Sequence, residues 1–337
     1  LVWILVEVMR HGGDLSALAD QTGRQASDWL DLSTGINPVP YPIPQIAPEA
    51  WTRLPQAQSL QRLRAAARKA YAIPETVDVV AAPGSEILIE TLARTIRPGR
   101  IAIAGKTYGS HARAWSAAGH TVSITDTRFS APSLDVALLV NPDNPTGHLA
   151  RPAQLVAMAQ LRRRTGGLLI VDEAFADVVP DHSLVPDLTG LYACVLRSFG
   201  KFYGLAGLRL GFLIGPTQLI TEVANRLGEW AVSGPALDIG TTALEDSAWA
   251  ETTRARLRAD ALRLDELLIE AGLSVLGGTD LFRLAEHADA TSIHERLIEH
   301  GILVRRFVDR PTLLRFGLPG TDAGWQRLTR ALTPRAG

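Results

Sequence analysis

DVALLVNPDNPTG (135–147), GLLIVDEAF (167–175) and ACVLRSFGKFYGLAGLRLGF (193–212) decide the architecture. Each opens with a short unbroken apolar run, too brief for a helix and without the alternation of a one-sided strand, which is the pattern of a strand buried on both faces of a parallel sheet. Each run then breaks into proline, glycine or charged residues. Between the first two lies the helix-like AQLVAMAQLRRR (153–164), and upstream the rhythm repeats. LQRLRAAARKAY (60–71) and EILIETLARTI (86–96) read as helices, while VDVVAA (77–82), RIAIAG (100–105) and VSITD (122–126) read as strands. This alternation predicts an α/β fold with a wound, mostly parallel sheet in a large domain over 46–225. Past 225 the texture changes to long helices, with Leu257, Leu264 and Leu268 on one face of a helix over 246–271. ILVRRF (302–307) and TLLRFGLP (312–319) close a smaller α/β domain over 226–337. NPVPYPIPQIAP (37–48) holds five of the chain's 20 prolines, so an extended arm over 1–45 is expected to pack on the small domain and the active site.

Composition narrows the partners. The 337 residues carry a formal net charge of -1, with 34 basic against 35 acidic side chains, and supply no field to attract nucleic acid or an anionic membrane. A small-molecule partner follows. The lone Cys194 has no intramolecular disulfide partner and sits in an apolar run as a buried thiol, which places the chain in reducing cytoplasm. LVWILVEVM (1–9) is shorter than a membrane span and is broken by Glu7, and it reads as a docking segment rather than a signal. The arginines at 254, 256 and 258 read as a solvated helix face. The eight histidines lack ligand-like spacing, so no metal site is expected.

Open parallel sheets bind ligands beyond the carboxyl ends of their strands. There this chain offers the amides of Asn141 and Asn144 in a turn fixed by Pro142 and Pro145, and the carboxylate of Asp172. Ser198, Lys201 and Arg209 follow in a glycine-punctuated loop. A carboxylate buried at a strand end needs a cationic partner. Only three lysines exist: Lys69 lies on a helix, Lys106 is a rival to Lys201, and Lys201 sits in the motif.

NPDNPTG, then VDEAF, then SFGKFYGLAGLRLG resemble, in order and spacing, the fold-type I aminotransferase superfamily. The resemblance implies a pyridoxal 5'-phosphate enzyme with a mostly parallel seven-stranded sheet and a smaller C-terminal α/β domain. It implies that Lys201 holds the cofactor as a Schiff base, that Asp172 keeps the pyridine nitrogen protonated, and that Asn144 bonds the ring's phenolic oxygen. Gly84, Ser85, Ser198 and Arg209 would hold the phosphate, the first two through backbone N–H groups that open a helix. Tyr108 would stack on the ring, with packing as its other reading, and His111 reads as supporting or structural.

The opening RHGGDLSALADQTG (10–23) and WLDLSTGINPVPYP (29–42) are similar to threonine-phosphate decarboxylases of cobalamin biosynthesis. That likeness implies substrate contacts by His11, Gly12, Asn37 and Asn144, and by Arg305 and Arg315 on a doubly anionic substrate. HGG alone also reads as a plain turn. Adjacent strand residues face opposite ways, so one of Arg305 and Arg306 points inward. Phe175 stands where histidinol-phosphate aminotransferases carry a tyrosine, and Gly200 replaces a common serine. The reaction implied is decarboxylation of L-threonine O-3-phosphate to (R)-1-aminopropan-2-ol O-2-phosphate in a homodimer; the alternative is a histidinol-phosphate type of aminotransferase.

Overall fold

The structure, a computed structural model, describes residues 12–125 and 134–333. The opening apolar run and His11 lie outside the described residues. Two compact units emerge: Pro40–Asn144 with His148–Glu251, and the described parts of Leu1–Val39, Pro145–Gly147 and Thr252–Gly337.

In chain order the first unit holds strands β2 (Asp78–Ala82), β3 (Arg100–Ala104), β4 (Thr121–Thr125), β5 (Val136–Val140), β6 (Leu168–Asp172), β7 (Ala193–Ser198) and β8 (Gly211–Gly215), preceded in the chain by β1 (Leu30–Leu32) of the other unit. They form one seven-stranded sheet in the order β2-β8-β7-β6-β5-β3-β4. The five strands from β7 to β4 run parallel, and β8 lies antiparallel between β2 and β7. Every residue of β5, β6, β7 and β8 is buried, so helices and loops cover both faces, as the unbroken apolar runs require. The helices Ser85–Thr95 and Thr217–Leu227 supply Leu88, Ile89, Leu92 and Val223 to the same core, with Trp115 from Gly109–Ala117. At the edge, β4 buries none of its residues, leaving Thr121, Ser123 and Ile124 exposed and Val122 and Thr125 half-buried, which suits a strand with one free side. The proline-rich stretch carries no regular structure from Asn37 to Ala47, and the Tyr41 N–H donates to the Tyr203 carbonyl at 2.9 Å.

The second unit contains a five-stranded sheet ordered β1, β11 (Ile302–Arg306), β12 (Leu313–Gly317), β10 (Phe282–Glu286) and β9 (Ser274–Thr279). Here β1 runs parallel to β11, and the other neighbours are antiparallel. The long helix spans Ser247–Glu270, and Leu257, Leu264 and Leu268 on it are fully buried, each contributing roughly 1.5–3 kcal/mol. Arg256 on this helix bonds Asn37 and Asp260. Among the described residues no helix is long and apolar enough to cross a membrane, and no cluster of three metal-ligating side chains occurs.

Candidate active site

Parallel strands bring their carboxyl ends to one edge, and the polar residues that end them meet there. Asp172 terminates β6 and Ser198 terminates β7. The short helix Phe199–Phe202 then carries Lys201, and Arg209 follows just before β8. From the other side come Ser85, first residue of its helix, and Tyr108, which precedes the helix Gly109–Ala117. Ser85, Tyr108, Asn144, Asp172, Ser198, Lys201 and Arg209 line one cavity, with Phe175 and Gly200 beside them. A wider cleft, about 550 Å³ against about 130 Å³ here, runs past Leu60, Val80 and Trp230. Its walls are mostly apolar and hold no lysine, whereas the smaller cavity gathers the polar residues that end the strands.

Gly84 has φ 94°, a conformation open to glycine at little cost, and a Cβ there would run into the Arg209 guanidinium. That close approach sets a cation against a helix N-terminus, a combination suited to an anion. Gly200 packs its Cα side against the Ala206 backbone; a Cβ would stand 2.7 Å from the Ala206 Cα, which accounts for glycine where a serine is common.

Asp172 is buried and holds two donors. Its Oδ1 accepts the Ala174 N–H at 3.0 Å, and its Oδ2 lies 2.8 Å from Nε2 of the buried His111. The imidazole's other nitrogen, Nδ1, meets no partner among the described residues. Tyr108 donates from its hydroxyl to Glu86 Oε2 at 3.0 Å. Burial pushes its pKa up to about 12, opposed by a hydrogen bond with Ser110 and helped by the Glu86 charge, so it stays protonated at neutral pH. Lys201 is half-buried with Nζ 5.9 Å from the centre of the Phe175 ring, while Lys69 and Lys106 are exposed and line no part of the cavity.

Asn141 and Asn144 divide the work of their loop. Asn141 is buried, its Oδ1 accepting the Ala150 N–H at 2.8 Å, and so braces the turn. Asn144 lines the cavity, and its carbonyl accepts from the Thr107 hydroxyl at 3.1 Å.

Arg305, Arg315, Asn37 and Gly12 belong to the second unit. Arg305 and Arg315 are directly paired across β11 and β12 and therefore share a face. Burial pulls the Arg315 guanidinium down to about 10, with Arg305 adding to the effect and Asp31 opposing it, and one of its nitrogens donates to the Ser33 carbonyl at 2.6 Å. Arg306 lies beside His294 instead, whose imidazole burial and that charge together depress to about 4. Gly12 abuts Ser33 so closely that a Cβ would overlap it, and the Gly13 N–H is taken by Ser33 Oγ at 3.0 Å. Asn37 is buried, its Oδ1 accepting from Arg256 at 2.8 Å and from the Val39 N–H at 3.0 Å.

His111, read from the sequence as supporting or structural, stands one helical turn past Tyr108 and bonds Asp172. Sequence reasoning passed over Glu173 and Arg197, the chain neighbours of Asp172 and Ser198. A charge next to a buried strand end was the sign that could have found them.

A family model described as aminotransferase class I and II matches residues 28–332. The chain belongs to that family. Within it, the chain is 42% identical over 328 residues to a threonine-phosphate decarboxylase of Pseudomonas aeruginosa, covering 96% of this chain and 97% of that one. Among solved structures it is similar to a histidinol-phosphate aminotransferase from Clostridium acetobutylicum, with TM-score 0.78 and 19% identity over 90% of this chain and 98% of that one. It is also similar to an L-threonine-O-3-phosphate decarboxylase from Porphyromonas gingivalis, with TM-score 0.74 and 17% identity over 89% and 97%. These two structures establish the shared fold of the family, and the family's class of chemistry agrees with a lysine in a strand-end cavity.

Proposed function

We propose that the chain decarboxylates L-threonine O-3-phosphate with pyridoxal 5'-phosphate, as the name of its 42% identical relative indicates for that protein. The observation that carries this reading is the cavity in which one of only three lysines faces a buried carboxylate and an anion cradle.

The residues present fit the cofactor. Ser85, Ser198 and Arg209, with the Gly84 turn that lets Arg209 approach, offer donors and a cation to its phosphate. Asp172 offers a fixed negative charge to a protonated ring nitrogen, and its bond to His111 holds that carboxylate in orientation. Asn144 offers an amide to the ring oxygen, and Tyr108 an aromatic wall. When bound, the cofactor supplies a sink for the electron pair left on the substrate's α-carbon once a bond to that carbon breaks.

The rest falls to the chain. Lys201 Nζ would hold the cofactor, and its amine is the group placed to return a proton to the substrate's α-carbon. Arg305 and Arg315 would bind the substrate's anionic groups bidentately, with Gly12, Asn37 and His11 in the same role. Their task would be orientation: which bond to the α-carbon breaks depends on how the substrate is held, so an anion grip that presents the carboxylate would select loss of carbon dioxide. A grip that presented the α-hydrogen instead would select amino transfer. The product is (R)-1-aminopropan-2-ol O-2-phosphate, which places the enzyme in cobalamin biosynthesis. We further propose a cytoplasmic homodimer.

Incubation with L-threonine O-3-phosphate should release carbon dioxide and the phosphorylated amino alcohol in equal amounts. Amino transfer to 2-oxoglutarate without gas would favour the histidinol-phosphate type of reading.

A further inference from the structure

Arg197 lines neither cavity yet is among the most deeply buried charges in the chain. One arm of its guanidinium donates to Glu173 Oε2 at 2.8 Å and the other to Asp177 Oδ1, while its flat face lies 4.3 Å from the centre of the Tyr71 ring. Glu173 is held further by the Ser183 hydroxyl at 2.6 Å and the Leu184 N–H at 2.7 Å. One cation on β7 thus grips two carboxylates of the stretch that follows β6.

The chain neighbours of these groups are the pocket walls. Glu173 follows Asp172, Asp177 lies two residues past Phe175, and Arg197 immediately precedes Ser198 and stands four before Lys201. Consecutive strand residues face opposite ways, so a group fixed on one face fixes its neighbour on the other. Buried ion networks are costly to desolvate, and apolar packing of equal volume often stabilises as well or better. Stability alone is therefore a poor reason for this cluster, whereas the planar two-armed geometry of a guanidinium specifies position.

We propose that Arg197 is a positioning residue for the cofactor pocket, setting Asp172 on β6 and the Ser198–Lys201 turn after β7 in register with one another through Glu173 and Asp177. The inference rests on the reading that this pocket takes pyridoxal 5'-phosphate.

The test uses the full-length holoenzyme and Arg197→Lys, which keeps the charge and gives up the fork. Cofactor dissociation and the pH midpoint of the lysine-bound cofactor's absorbance are measured well below the unfolding temperature. The variant should lose cofactor affinity by about tenfold or more, the scale on which outer partners of ligating groups act, and its midpoint should move away from the wild-type value. A lower unfolding temperature with both cofactor readouts unchanged would mean a purely structural role and overturn the proposal. If Arg197→Lys does not fold, Asp177→Asn keeps an oxygen acceptor while weakening one arm; it should shift both readouts in the same direction, and wild-type values would again overturn the proposal. A wild-type protein with no lysine-bound absorbance would instead remove the cofactor reading, and this inference with it.

Discussion

Replacing Asp172 by Asn separates the charge of this carboxylate from its shape. In the free protein the cost should be modest. Asn Oδ1 can still accept the Ala174 N–H, now 3.0 Å from the carboxylate. The Asn amide can face His111 once the imidazole proton moves to Nδ1, a nitrogen that meets no partner among the described residues. The exchange trades a charge-assisted bond for a neutral one and leaves a buried Nδ1–H without an acceptor, a change of about 1–3 kcal/mol in stability. With cofactor bound the cost is larger. Removing one partner of a buried ion pair costs about 3–5 kcal/mol, and at 1.36 kcal/mol per decade this becomes a loss of roughly 10²–10⁴ in kcat/KM. The assay is carbon dioxide release from L-threonine O-3-phosphate, with cofactor loading measured by absorbance on the same sample and stability by denaturant titration. A fully loaded variant whose activity stays within about tenfold of wild type would show that the carboxylate does not carry the ring charge.

Arg305→Lys should raise KM by about tenfold, since one bidentate charged contact is lost; Arg306→Lys, whose side chain lies beside His294 on the other face, should leave KM unchanged, and equal effects would contradict the strand-face assignment. Gly200→Ser should destabilise by about 1–3 kcal/mol by overpacking, because its Cβ would meet the Ala206 Cα at 2.7 Å, and denaturant titration reads the change. His294, depressed to about 4 from an ordinary 6.5, contributes stability in full above pH 6.5 that is lost as pH falls toward 4. Acidification from pH 7 to 4.5 should therefore cost about 2–3 kcal/mol at this residue, and a His294→Gln chain with an unaltered acid limb would refute that source.

The fold was legible because buried parallel strands are apolar on both faces: VALLV, LLIV and ACVL needed no tertiary information to be read. The antiparallel setting of β8 between β2 and β7 was not legible, since a buried strand has the same composition in either direction. Nor was the excursion of Pro145–Gly147 into the second unit, which depends on glycine backbones meeting: a Cβ at Gly147 would overlap the Gly278 backbone. In the site, residues that end strands announced themselves by a change of chemistry, as Asp172 and Ser198 did. His111 and Arg197 could be flagged by their positions, but their partners could not: no local pattern specifies that His111 meets Asp172 or that Arg197 meets Glu173 and Asp177. The choice between Arg305 and Arg306 likewise waited on register, because alternation gives opposite faces but not which one is shared with Arg315.

Borohydride reduction of the holoenzyme, followed by peptide mapping, addresses the chemistry at its root. The pyridoxyl mass should appear on the peptide containing Lys201 and be absent when that residue is replaced by Ala. A label on Lys69 or Lys106, or no label on a protein that has bound the cofactor, would contradict the account.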